Sequence, residues 1–375
     1  MSKTANPLHR LGDFGQSVWL DYIRRDLLSS AEFRRMIEED GLKGMTSNPT
    51  IFEKAIDGSR DYDAQFGDLA RAGKNVDAIY EGLTTDDIKA AADALRPIYD
   101  RTEGRDGFVS YEVSPRLADD TDGTIKAAHR YFEMINRPNL MIKVPSTPAG
   151  IPAIEELISE GHSINITLMF SLKHYIAVAE AYLRGLERRA QAGNPLDRIG
   201  SVASVFVSRV EALVDKRIDE KLKAGADADL AKLRGAAAVA GTKLIYQRFK
   251  EQFGGDRFKA LAAKGARVQR PLWASTGTKN PAYSDIKYIE ELVGPDTVNT
   301  MPPATMDAYR DHGKPRASIE DDLAGARDSV RRLAASGIDL DAVGDELQRE
   351  GVEAFIKSFD DLVGTIKKRL AAAAA

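Results

Sequence analysis

Lys143 stands in the run Asn139-Leu-Met-Ile-Lys-Val-Pro145, a strand-like apolar segment holding a single amine. Taking an ammonium out of water costs several kcal/mol, so a lysine held in such a segment is biased toward the neutral amine, a nucleophile for carbonyl groups. The chemistry this suggests is imine formation. A lysine on an exposed strand face is the competing reading, and only the rest of the chain can decide between them.

Polar residues recur where other apolar runs end. Asp21 closes Ser-Val-Trp-Leu-Asp, Thr46-Ser-Asn48 follows Leu42–Met45, and Glu112 closes Phe-Val-Ser-Tyr-Glu. Asn165 and Thr167 lie within the fifth run, Ser204 and Phe206 within the sixth, and Ser275 ends the seventh. Because strand side chains alternate, Trp19 shares a face with Asp21, Ser110 with Glu112, Asn165 with Thr167, Ser204 with Phe206 and Trp273 with Ser275. If those faces point inward, two carboxylates, a lysine, hydroxyls and amides converge. Each has a plain alternative. Asn48-Pro49 and Ser114-Pro115 suit helix starts or turns, Asp21 and Glu112 could pair with Arg24 and Arg116, Asn165 and Thr167 could bond nearby backbone, and the aromatics could be core. None of these explains the joint placement, since a polar interior costs stability unless its groups serve a ligand or one another.

The segment Ala274-Ser-Thr-Gly-Thr-Lys-Asn280 adds a candidate phosphate loop, with Lys279 as its cation and Arg209 as a possible fork. It lacks the Walker spacing, and a plain strand-to-helix turn is the alternative. The five histidines, His9, His129, His162, His174 and His312, include no HxH or HExxH pair, so no metal site is expected. No glycine cluster forms a dinucleotide fingerprint.

Eight apolar, β-branched runs must position these residues: 17–23, 42–46, 108–113, 140–145, 163–170, 201–207, 270–275 and 297–301. Helical patterns separate them, for example over 121–135, 151–159 and 172–189, where apolar residues recur at spacings of three and four. Eight strands alternating with helices predict a closed α/β barrel, the (β/α)8 TIM barrel, whose active site lies at the C-terminal strand ends. Two connections are enlarged by helical insertions, near 59–101 and 222–264. Extra helices follow the last strand over 319–370, before an alanine tail expected to fray. No Pro/Gly/Ser linker divides the chain, so residues 1–375 are expected to form a single domain.

Composition narrows the function. A net charge of -4 over 375 residues carries no electrostatic footprint for nucleic acid or an anionic membrane, and zero cysteines exclude disulfides and thiolate chemistry. The first residues hold charges and Pro7 instead of an apolar leader, and no apolar run is long enough to span a bilayer, so a cytoplasmic protein is expected.

Taken together, Thr46-Ser-Asn-Pro-Thr-Ile-Phe52, Val109–Leu117, Met141-Ile-Lys-Val-Pro145, Ile164–Ser171 and Ala203–Arg209 resemble the transaldolases, Schiff-base-forming transferases of the class I aldolase type. The motifs occur in family order, and Trp273–Pro281 is similar to the longer branch of the family. The resemblance implies Lys143 as the imine-forming nucleophile, Asp21 as the acid/base for the carbon–carbon bond, and Glu112 with Thr167 holding a proton-shuttling water. It also implies Asn48, Asn165 and Ser204 on the dihydroxyacetone moiety, Phe206 shaping the pocket, and Arg209 with Ser275 on phosphate. Shorter members carry an arginine soon after the seventh-strand serine; here Thr-Gly-Thr-Lys follows, and Lys279 takes that role. Sugar phosphates are the implied partners, with no cofactor and a monomer or homodimer. A fructose-6-phosphate aldolase that lets water release dihydroxyacetone is the nearest alternative, and a catalytically silent sugar-phosphate-binding barrel a more distant one.

Overall fold

The computed structural model describes residues 6–373. The first five residues and Ala374–Ala375, part of the expected domain span and tail, lie outside the described residues. Strands β1 (Gln16–Asp21), β2 (Leu42–Thr46), β3 (Phe108–Glu112), β4 (Leu140–Pro145), β5 (Ile164–Met169), β6 (Ser201–Phe206), β7 (Arg270–Ala274) and β8 (Thr297–Met301) form a closed parallel barrel in chain order. This is the (β/α)8 architecture expected from the alternation of runs. Helices such as Thr121–Ile135, Gly150–Glu160 and Leu172–Gln191 cover it outside, each burying one apolar face.

The register places the chemistry. Asp21 pairs with Thr46, Glu112 with Lys143, and Lys143 with Asn165. Paired residues of parallel strands share a face, so these side chains all point into the barrel. Below them the interior is filled. Trp19 lies across Gly44, where a Cβ would sit 2.4 Å from the indole, so this contact requires glycine. The Trp19 indole donates to Asp106 at 3.1 Å, and Asp106 also pairs with Arg270 at 3.0 Å. These buried groups plug the N-terminal end, leaving the C-terminal mouth for ligands.

Asp63–Arg71 and Val76–Arg101 precede β3, while Ala237–Gly254 and Asp256–Ala262 precede β7. The alanine tail differs from expectation: the last helix runs Leu340–Ala373, so its first three alanines are helical, in keeping with their high propensity. This helix folds back over the C-terminal mouth. Thr50 bonds Ser358 at 2.8 Å, and Gln348 donates to the Ser146 and Leu168 carbonyls at 3.1 Å. No helix among the described residues is long and apolar enough to cross a membrane.

Candidate active site

A cavity of about 260 Å³ opens at the C-terminal mouth, and Lys143, Asp21, Thr167 and Ser204 all line it. Lys143 is 4% exposed. Its ammonium lies 3.0 Å from Glu112 Oε2 and donates to the Ser47 carbonyl at 3.0 Å. The amine is therefore enclosed and also ion-paired, and Glu112 takes Lys143 as its partner where Arg116 was the alternative. Arg116 instead reaches Asp360 on the last helix, and Arg24 takes Asp26, so neither acid of the site is spent on a surface pair.

Burial raises the pKa of Glu112 above the ordinary carboxylate range. The Lys143 charge pulls it back and Asp21 adds to the rise. Asp21 is raised as well, again chiefly by burial and against the opposing charges of Lys143 and Arg209. It also accepts a 2.6 Å hydrogen bond from Thr46, whose hydroxyl contacts Thr300 at 2.8 Å. Two carboxylates displaced upward beside one lysine form a set that can exchange protons nearer neutrality than free acids can.

Thr167 Oγ1 is buried and has no hydrogen-bond partner among the described residues. A strand irregularity follows it. Leu168 takes φ 55°, a left-handed conformation that costs a leucine about 1–2 kcal/mol, and the β5–β6 register shifts there. Ser146 and Gln348 hold the Leu168 carbonyl at 2.9 and 3.1 Å, fixing the distortion.

Two predicted residues do not reach the cavity. Glu112 stands behind Lys143, and Asn165 lies beneath, donating to Ser110 at 2.9 Å and accepting from Ser204 at 2.7 Å. Asn48 lines the wall, but its Oδ1 caps the helix Pro49–Asp57 through Ile51 N at 2.9 Å, leaving only the amide nitrogen for a ligand. Strand seven departs from the parity argument. Trp273 faces outward and donates to the Leu292 carbonyl, the strand ends at Ala274, and Ser275 turns to the cavity through φ 56°. Ser275 then meets Ser208 hydroxyl to hydroxyl at 3.0 Å.

Three further cations line the mouth. Arg209, in the first turn of helix Ser208–Lys223, lies over the Phe206 ring and has no ion-pair partner among the described residues. Lys279 is exposed on the loop after β7, and Lys54 also lines the cavity. Sequence reasoning missed Lys54, Thr300 and Phe355. Thr300 is a polar residue near the end of the eighth run and could have been chosen on that ground. Phe355 comes from the last helix, and no local pattern connects it to the barrel.

The family profile for Transaldolase/Fructose-6-phosphate aldolase matches residues 18–366. The chain belongs to this family. It is 46% identical over 371 residues to a Transaldolase of Trichodesmium erythraeum, covering 97% of this chain and 98% of the relative. It is 48% identical over 370 residues to a Transaldolase of Mycolicibacterium smegmatis, covering 98% and 99%. A Saccharopolyspora erythraea Transaldolase is 47% identical over 368 residues, covering 98% of each chain.

Proposed function

We propose that the protein is a transaldolase, moving a dihydroxyacetone unit from sedoheptulose 7-phosphate to glyceraldehyde 3-phosphate to give erythrose 4-phosphate and fructose 6-phosphate. Support comes chiefly from one observation: Lys143, enclosed and paired with Glu112, opens onto the cavity that Asp21 and Thr167 also line. Lys143 passes a proton to Glu112 and adds to the ketose C2 carbonyl; loss of water leaves the iminium. The C3–C4 electron pair moves into that iminium while Asp21 accepts the C4 hydroxyl proton, and an aldose phosphate departs. The enamine left on Lys143 then attacks the acceptor aldehyde, and Asp21 returns the proton to the new hydroxyl. Thr167, with its free hydroxyl, positions the water lost and regained, and hydrolysis restores the amine. Ser204 and the Asn48 amide are placed for the dihydroxyacetone hydroxyls, with Asn165 holding Ser204 from below. No cofactor enters these steps. Transfer of this kind belongs to the pentose phosphate pathway, and a cytoplasmic location goes with this reading.

The aldolase reading differs only in the fate of the enamine. With fructose 6-phosphate alone, free dihydroxyacetone is expected to form far more slowly than glyceraldehyde 3-phosphate forms once erythrose 4-phosphate is supplied. Dihydroxyacetone release at the full rate without acceptor would establish the lyase instead.

Arg209, Lys279 and Ser275 carry the phosphate in this reading, with the helix N-terminus at Ser208 adding its dipole. Arg209→Ala and Lys279→Ala are each expected to raise KM for phosphorylated acceptors about 10- to 100-fold, the loss of one charge-assisted contact. KM for unphosphorylated glyceraldehyde should hardly move. Equal losses for both acceptors would remove these residues from the phosphate site.

A further inference from the structure

The sequence contains no close pair of histidines, yet the fold assembles one on the barrel's outer surface. His129 lies on helix Thr121–Ile135, Glu160 ends helix Gly150–Glu160, and His162 follows two residues later. Gly161 between them takes φ 98°, a conformation open to glycine, and reverses the chain. His162 is thereby laid flat on Phe132, with ring centroids 4.2 Å apart and planes 12° from parallel. Glu160 Oε2 sits 2.6 Å from His129 Nε2 and 3.7 Å from His162 Nε2. One donor atom from each of the three residues falls within 4.8 Å of the others, and no other such group occurs among the described residues.

We propose that His129, Glu160 and His162 form a binding site for a divalent transition-metal ion of the zinc type. Two imidazoles and a carboxylate with no thiolate suit Zn²⁺, Co²⁺ or Ni²⁺ and do not suit Mg²⁺ or Ca²⁺, which take oxygen ligands. Metal bonds of about 2.0–2.2 Å place tetrahedral donors roughly 3.4 Å apart, so Glu160 need only back away from His129 while the imidazoles, whose donors lie within 4.8 Å of each other, draw in by at most about 1.4 Å. The side chains can make that adjustment, being 44%, 32% and 29% exposed for His129, Glu160 and His162, and solvent can supply the fourth ligand. The Arg189 guanidinium opposes cation binding, but it is turned to the Pro195 and Ser159 carbonyls. His312 shows the contrast: its two acidic neighbours, Asp285 and Asp311, bond opposite ring nitrogens and cannot converge on one ion.

The turn carrying His162 leads into the start of β5, so the site lies toward the N-terminal end of the barrel, where conserving geometry serves stability and not turnover. A bound ion would tie the Thr121–Ile135 helix to that turn, raising Tm with ion concentration and leaving kcat unchanged.

The test is titration of the untagged, chelator-stripped full chain with Co²⁺ and then Zn²⁺, followed by calorimetry and the visible cobalt bands. Binding of one equivalent is expected. His129→Ala and His162→Ala should each weaken it at least about tenfold, whereas His312→Ala should not. Retention of circular dichroism and transfer activity by the variants excludes misfolding as the cause. Absence of a stoichiometric site, or affinity unaltered by both histidine substitutions, would overturn the proposal.

Discussion

Lys143→Met is expected to abolish transfer, lowering kcat about 10,000-fold or more, as loss of a covalent nucleophile does. Borohydride reduction with fructose 6-phosphate should mark Lys143 in the native protein and no lysine in the variant. An adduct mapped to another lysine would sink the mechanism. The fold should survive, but not at zero cost. Judged on sequence, a methionine of similar length simply replaces an enclosed amine; the structure places Glu112 at 3.0 Å, so the substitution strands a carboxylate. Removing one member of a buried ion pair costs about 3–5 kcal/mol when the survivor stays charged. Glu112 has another course. Burial already raises its pKa, and the substitution removes the largest opposing influence, the Lys143 charge, so it takes up a proton instead.

The sign of the pH dependence follows. An unfolded glutamate titrates near about 4.3, below the raised value in the folded variant, so the folded state binds more protons between the two. Stability of Lys143→Met is therefore fully present below the unfolded value and declines as pH rises through that window toward the folded one. Adding Glu112→Gln should flatten the dependence and recover Tm at neutral pH. A Tm that rises with pH in the single variant would contradict the assignment of Glu112 as its source.

The barrel is legible in the sequence because most strands are short apolar runs, several of them β-branched, buried on both faces, a pattern that tertiary context reinforces. The inward residues of β1 to β6 follow from alternation alone. Strand seven escapes that logic because Ser275 adopts a left-handed backbone without being glycine, and nothing in Ala274-Ser-Thr announces it. The bulge at Leu168 is equally silent, since the groups that hold it, Ser146 and Gln348, come from elsewhere in the chain. Phe355 and the covering helix depend on contacts across most of the sequence, and the His129–Glu160–His162 group on two helices meeting. What the sequence could not convey was the order of depth: Asn165 beneath, Glu112 behind, and Asp21 with Lys143 at the surface of the cavity.

That order makes Asp21 the residue whose loss separates bond cleavage from imine formation. Asp21→Asn keeps the hydrogen bond from Thr46, because the amide oxygen can still accept it, and removes the proton acceptor. The loss in kcat is expected to be about 100- to 10,000-fold, the range for a general acid/base. In the proposed mechanism imine formation depends on Lys143 and Glu112, and it should persist. Borohydride should therefore trap the intact six-carbon ketose on Lys143 in the variant, whereas the native enzyme, given fructose 6-phosphate without acceptor, accumulates the three-carbon adduct. The two are resolved by the mass of the Lys143 peptide. A three-carbon adduct formed at the native rate in Asp21→Asn would mean that another group takes the C4 proton, and Glu112, the other carboxylate raised by burial beside Lys143, would be the one to examine next.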